Sequence, residues 1–255
     1  MIKADWKKLI MANYAVDPQV MEKYLPFQTT FDQWQGECYM SLVGFMFMNT
    51  RVLGIHFPFH THFEEVNLRF YVVHPPQAGR KRGVVFIKEV VPLHGVTLVA
   101  NSVYREHYET LPMKHRWQFT PDELTVEYKW KKNDWYSLKV TSESSPLEMR
   151  DGSEELFFTD QHWGYTRVND HKTLVYEVAH PRWTYYKTKD YSIDVDFGHL
   201  YGKEFSFLSN QKPDSVFLAE GSEISLRKSA VIEKAGIAGI AKKQIENPKS
   251  KIQNY

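Results

Sequence analysis

The segment FEEVNLRFYVV, residues 63–73, alternates apolar and polar side chains along its length. In extended chain successive side chains point to opposite faces, so Val66, Leu68, Phe70 and Val72 share one surface and Glu65, Asn67, Arg69 and Tyr71 the other. An α-helix would scatter both sets around its circumference, so the stretch is a strand. Its polar row faces either water, as in a one-sided antiparallel sheet, or the polar interior of a sheet closed on itself.

The same signal recurs along the chain. Runs from Cys38 to Met48 and from Gly83 to Val91 are rich in β-branched and aromatic residues and are bounded by turn residues. LTVEYKWKKNDWYSLKV is a hairpin turning at Asn133 and Asp134, a second hairpin turns near Asn169 and Asp170, and SVFLAEGSEISLRK is a third, turning at Glu220 to Ser222. TLVANSVYREHYE, residues 97–109, continues the strand pattern. Two short helices interrupt it. One starts at Asp17 as N-cap with Pro18 in the first position and stops at Pro26, and the other starts at Ser153. Aromatic residues at 15% of the chain favour sheet. The expectation is an α+β, mainly antiparallel β fold, a barrel with few short peripheral helices. One domain over residues 1–230 is expected, followed by a basic, glycine-interrupted tail at 231–255 that frays.

A formal net charge of +1 supplies no global field to hold nucleic acid or an anionic membrane, so neither is expected as a partner. Cys38 is the only cysteine, which rules out an internal disulfide and fits a reducing, cytoplasmic compartment. It sits in an apolar run, the place of a buried structural thiol. The N-terminus breaks its apolar residues with charges, and the longest apolar run, near YMSLVGFMFM, is too short to span a bilayer as a helix. A homodimer is compatible with the aromatic content and exposed sheet edges. The Gly-x-Ser-x-Gly elbow, the phosphate loop and the dinucleotide fingerprint are all missing.

The row Glu65, Asn67, Arg69 is the first candidate site. At about 3.3 Å per residue, Glu65 and Arg69 have Cα atoms about 13 Å apart, so a ligand fits between them. If buried, each charge needs a partner, from the protein or from a bound molecule. In REHYE, Arg105 and His107 share one strand face and Glu106 and Tyr108 the other; Arg105 and His107 are taken as the pocket-facing pair. His60 and His62, with Glu64 nearby, have the spacing of metal ligands on a strand, but the downstream partner segment of a cupin is missing, and no metal or cofactor is expected.

Several segments in order resemble the YqjF-like family of unknown function, itself related to acetoacetate decarboxylase: Trp6, VDPQVMEKYLP, GECYMSLVGFMF, FEEVNLRFYV, HPRW and PDSVFLAEGSEISL, together spanning residues 6–228. The resemblance implies a β-barrel whose polar row faces inward. It also implies a comparison with a decarboxylase whose Schiff-base lysine lies in a Pro-Lys-Lys segment. The similar stretch here is LPMKH, which puts Met113 in the nucleophile's place and Lys114 in that of its neighbour. Methionine forms no imine. Glu65 is similar in position to an active-site glutamate of the decarboxylase. The expected function is binding of a small molecule, a carboxylate suiting Arg69, in a pocket lined by Glu65, Asn67, Arg69, Tyr71, Arg105 and His107. The alternatives are an enzyme on small keto acids using Lys114 or Glu65, and a metal-dependent barrel using His60 and His62.

Overall fold

The computed structural model describes residues 2–74 and 80–233. Strands β1 (Ile2–Val16), β2 (Glu37–Val52), β3 (Phe63–His74) and β4 (Lys81–Val91) form an antiparallel series in that order. The sheet continues from β4 to two later strands. β5 (Tyr108–Thr110) runs parallel to its Glu89–Val91 end, while β9 (Trp163–Asn169) meets its other end through two parallel pairs, Trp163 with Gly83 and Gly164 with Val84. β10 (Lys172–Ala179) pairs with β9, β12 (Ser215–Glu233) pairs with β10, and β12 pairs again with β1, which closes the ring. A separate four-stranded antiparallel sheet holds β6 (Met113–Phe119), β7 (Glu123–Lys131), β8 (Trp135–Glu143) and β11 (Thr188–Asp194).

Alternation decides what each surface meets. The outward row of β3, Val66, Leu68, Phe70 and Val72, is buried in one cluster with Tyr128, Trp130 and Leu138 of the second sheet and with Phe197 and Leu200 of a short helix, α3 (Phe197–Tyr201). The inward side of the ring holds a second cluster, Leu9, Met11, Val43, Phe45, Tyr71 and Phe217 among others, closed at one end by Phe157 and Phe158. Those two rings come from α2 (Glu154–Thr159), whose N-cap Ser153 accepts a hydrogen bond from the Leu156 amide and whose first turn carries Glu154 and Glu155, favourable against the helix dipole. Among the described residues no helix is long and apolar enough to cross a membrane.

The mainly antiparallel barrel-like architecture with few short helices is as expected, as are the hairpins at Asn133–Asp134 and Asn169–Asp170. Cys38 is buried in the core. Three local expectations are corrected. The predicted hairpin at Glu220 to Ser222 is a single strand, because β1 supplies partners on both sides of the supposed turn: Ala219 pairs with Leu9 and Gly221 with Lys7. Gly221 bends this strand at φ +78, and a Cβ there would lie 2.0 Å from the Trp6 carbonyl oxygen. The strand runs on to Glu233, and residues 234–255 of the expected tail lie outside the described residues. Residues 97–104, read as strand, are helical: α1 (His94–Val99) passes into a π-turn over Ala100–Tyr104. The helical spacing of Val96, Val99 and Ala100, which all face one cavity, is the periodicity that the strand reading overlooked. After Asp17 and Pro18 the chain makes two 3-10 turns, Pro18–Val20 and Glu22–Tyr24, and Pro26 follows too soon for an α-helix to propagate.

Candidate functional site

Inside the ring lies a cavity of about 420 Å³, whose lining residues Arg69 and Gln161 reach the Phe158 and Phe157 carbonyls of the plug. Its wall is mostly apolar, with Trp6, Phe45, Phe47, Phe86 and Trp163 among its lining residues. One side is polar, and it begins with the row from β3. Glu65, Asn67 and Arg69 are buried and line the cavity, so the inward alternative for that row is the correct one.

Register brings two further acids to them. Asn67 is paired with Glu89 on β4, and Glu89 with Tyr108 on β5, so one row crosses three adjacent strands. Glu106, two residues before Tyr108, also lines the cavity. The three carboxyl groups are 2% (Glu65), 2% (Glu89) and 6% (Glu106) exposed. Asn67 Nδ2 donates to Glu65 Oε1 at 2.9 Å and Tyr108 OH to Glu65 Oε2 at 3.1 Å. Thr166 Oγ1 donates to Glu106 Oε1 at 2.8 Å, and Tyr176 also hydrogen-bonds Glu106.

Burial raises the proton affinity of all three carboxyl groups. Desolvation pushes Glu65 up to about 7, against the pull of its bonds from Asn67 and Tyr108 and of the Arg69 charge. Glu106 is likewise raised to about 7, chiefly by desolvation, and Glu89 is pushed well above the usual carboxylate range by burial and then by the Glu106 and Glu65 charges. Three mutually repelling carboxyl groups beside one guanidinium favour sharing protons over full ionisation.

Several polar atoms here have no hydrogen-bond partner in the protein: Asn67 Oδ1, Glu89 Oε2, Gln161 Oε1 and Arg69 Nε. Arg69 Nη2 donates to the Phe158 carbonyl at 3.2 Å, and its guanidinium carbon lies 5.6 Å from the Tyr71 ring centre. Buried donors and acceptors left unmatched cost about 1–3 kcal/mol each, which a bound polar group recovers.

The other expected residues fall elsewhere. Tyr71 belongs to the aromatic plug, sharing a 2.6 Å hydrogen bond with Ser41 Oγ and packing at a tilt against Phe157 and Phe158, and it does not line the cavity. Arg105 and His107 are exposed: Arg105 ends the helical segment at φ +55, so the alternate residues Glu106 and Tyr108 turn inward. The alternation in REHYE was legible, but the choice of row depended on β4. Lys114 lies on β6 of the second sheet, its Nζ 4.8 Å from the Trp135 ring centre, and is not among the cavity residues; none of the described lining residues is a lysine. His60 Nδ1 bonds the Pro58 carbonyl at 2.9 Å, and His62 Nδ1 accepts from the Asn49 amide at 3.4 Å. Glu64 Oε1 accepts from His115 at 2.6 Å. Among the described residues no three His, Cys, Asp or Glu side chains are grouped to hold a metal ion. Glu89, which the strand reading never singled out, carries its own signal: in GVVFIKEVV it is an acid inside a buried apolar strand.

A family model, DUF2071, described as an uncharacterized conserved protein, matches residues 3–223. No curated protein matches the sequence. Solved structures that resemble the fold include an acetoacetate decarboxylase-like enzyme from Sphingomonas wittichii RW1, 8% identical, with a TM-score of 0.63 and 92% of this chain and 94% of that one covered. The acetoacetate decarboxylase of Legionella pneumophila subsp. pneumophila str. Philadelphia 1 is 10% identical, with a TM-score of 0.61 and coverage of 91% and 87%. The enduracididine biosynthesis enzyme MppR, complexed with pyruvate, is 11% identical, with a TM-score of 0.61 and coverage of 91% and 90%. At these identities the likeness establishes the acetoacetate decarboxylase-like fold and nothing about chemistry.

Proposed function

The chain belongs to the DUF2071 family, and from that starting point we propose that it binds a small organic acid in the ring cavity, with the acid's head at Arg69 and Glu89 and its apolar body along the aromatic wall. The observation that carries this reading is that two side chains of the cavity wall each keep a buried polar atom without a hydrogen-bond partner, Arg69 at Nε and Glu89 at Oε2. Arg69 Nε donates one hydrogen bond, and a protonated Glu89 donates a second where an ionised one would repel the ligand. Two charge-assisted donors suit the two oxygens of a carboxylate. The binding of pyruvate by MppR, a protein of the same fold, is in keeping with such a ligand class.

Calorimetric titration with monocarboxylic acids of increasing chain length, beside the matching alcohols and amines, tests the reading. Acids are expected to bind best, with affinity rising with chain length, and Arg69→Met is expected to weaken them at least about tenfold, since a hydrogen bond to a charged group contributes about 1.5–3 kcal/mol. Equal binding of alcohols and indifference to Arg69→Met would sink it.

A second reading has its own support. Glu65 and Glu106, raised to about 7, are poised to exchange protons near neutrality, which suits general acid–base work on a bound keto acid. Deuterium exchange into the methyl group of pyruvate in D2O, abolished by Glu65→Gln, is the expected sign. Imine chemistry is expected to fail: with pyruvate and borohydride, no cavity lysine gains mass, because none of the described lining residues is a lysine. A pyruvate-dependent adduct on Lys114 would restore the lysine mechanism.

A further inference from the structure

The mouth of the cavity is framed by two segments, residues 49–62, which are the end of β2 and the loop to β3, and residues 93–105 around α1. They touch: a Cβ added at Gly95 would lie 2.8 Å from His60 Nε2. Val52, Phe57 and Val99 line the cavity and are also exposed. Around them Leu53, Ile55, Phe59, Leu98 and Val103 face solvent, with Leu53 76% and Phe59 92% exposed. A contiguous apolar rim of this kind marks an interaction surface. Leu53 and Phe59 are moreover held at φ +54 and +64, a region that bulky residues avoid and that Asn tolerates better. Neither folding nor the cavity requires large apolar side chains at those two positions.

Within these two segments the charge has one sign. Residues 49–62 and 93–105 contain Arg51 and Arg105, four histidines and no Asp or Glu. Of the nearby acids, Glu64 accepts from His115 and Glu106 turns into the cavity, while Asp5 on β1 accepts from Asn49 at 2.6 Å and Glu223 on β12 pairs with Lys3. A second copy of the chain seated on these two segments would bring arginine toward arginine, with no carboxylate within the segments to answer it. An apolar surface studded with cations is instead complementary to anionic lipid. The chain-wide charge of +1, from which no membrane partner was expected, averages this local excess away.

We infer that the cavity mouth is a membrane-docking surface, seating on anionic lipid through Leu53, Ile55, Phe59 and Leu98 with Arg51 and Arg105 at the headgroups. The docking is read from the rim alone. Its purpose rests on the ligand reading above: an acid with an apolar body would pass between bilayer and cavity without crossing water.

The test is co-flotation of the full chain with vesicles of phosphatidylcholine, alone or mixed with phosphatidylglycerol. Binding is expected to be at least about tenfold greater on the mixed vesicles and to fall as salt is added. The double variant Leu53→Asn with Phe59→Asn should lose about tenfold in vesicle binding while its melting temperature holds or rises, because Asn relieves the left-handed strain. Arg51→Gln should reduce the preference for anionic vesicles. Absence of binding to mixed vesicles overturns the inference. So does sedimentation showing a dimer that the double variant dissolves, since the rim would then be a self-interface. Acid titration of the parent chain separates the two readings: acid binding without vesicle binding leaves the pocket standing and removes the docking, and the converse does the reverse.

Discussion

Thermal unfolding is expected to move down by roughly 10 °C as the pH rises from 5 to 8, the opposite of what a protein held by ordinary salt-bridged carboxylates does. Glu65 and Glu106 each stand at about 7 in the folded chain against 4.5 as free groups, and burial pushes Glu89 well above its usual range too. An acid whose folded pKa is raised binds more protons folded than unfolded. Its stabilising contribution is therefore complete below the unfolded value and is lost as the pH climbs through the folded one. At about 1.4 kcal/mol per unit, the acids together account for on the order of 5 kcal/mol across that window. Below pH 5 other groups reverse the slope. Burial alone would raise Glu220, but bonds from Lys8 and Tyr186 outweigh it and hold it below its usual value; Lys88 and Lys132 do the same for Glu109. Stability should therefore peak near pH 5. Melting curves from pH 4 to 9 check this, and Glu106→Gln, which retains hydrogen-bonding groups toward Thr166 and Tyr176, should flatten the alkaline limb and raise the midpoint at pH 8. A midpoint that is level or rising from pH 5 to 8 would mean that the three acids are ionised and solvated.

Gly83→Ala is expected to cost about 3 kcal/mol or more, out of proportion to one methyl group. The ring between β4 and β9 is closed by only two residue pairs, and one of them is Trp163 with Gly83. A Cβ at Gly83 would lie 2.2 Å from the Trp163 carbonyl oxygen and 2.8 Å from its carbonyl carbon, which are backbone atoms that no rotamer change can move. The strands must separate, and with them Trp163 and Gly164 leave the cavity wall. Urea denaturation reads the stability loss, and near-UV circular dichroism reads the displaced tryptophan. Alanine at Gly36, where a Cβ meets nothing within 4 Å but φ is +90, serves as the control that isolates backbone strain, expected at about 1 kcal/mol. Equal effects at the two sites would show that the closure tolerates a side chain.

The parts of the fold that could be read in advance are those where one local rule acts alone. The hairpin at Asn133–Asp134 needs only a turn pair between alternating arms, and α2 needs only Ser153 and the acids after it. Where a partner strand intervenes, local rules mislead. Glu220 to Ser222 has the composition of a turn, but β1 pairs on both sides of it and keeps the strand going. The helical segment at 94–104 was hidden by β-branched residues whose 3.6-residue spacing matters only because one cavity lies beneath them.

The site divides along the same line. Alternation in FEEVNLRFYVV by itself put Glu65, Asn67 and Arg69 on one face, because side chains in a strand alternate whatever surrounds them. It also placed Tyr71 on that face, where the structure gives it to the aromatic plug, since a shared face says nothing about depth along the barrel. Only the closed ring decided that this face is the interior, that Glu89 and Glu106 from other strands join Glu65 there, and that Lys114 stays outside on a second sheet. Pairing partners come from residues far apart in the chain, and a carboxyl group keeps or loses its proton according to how much water those partners exclude.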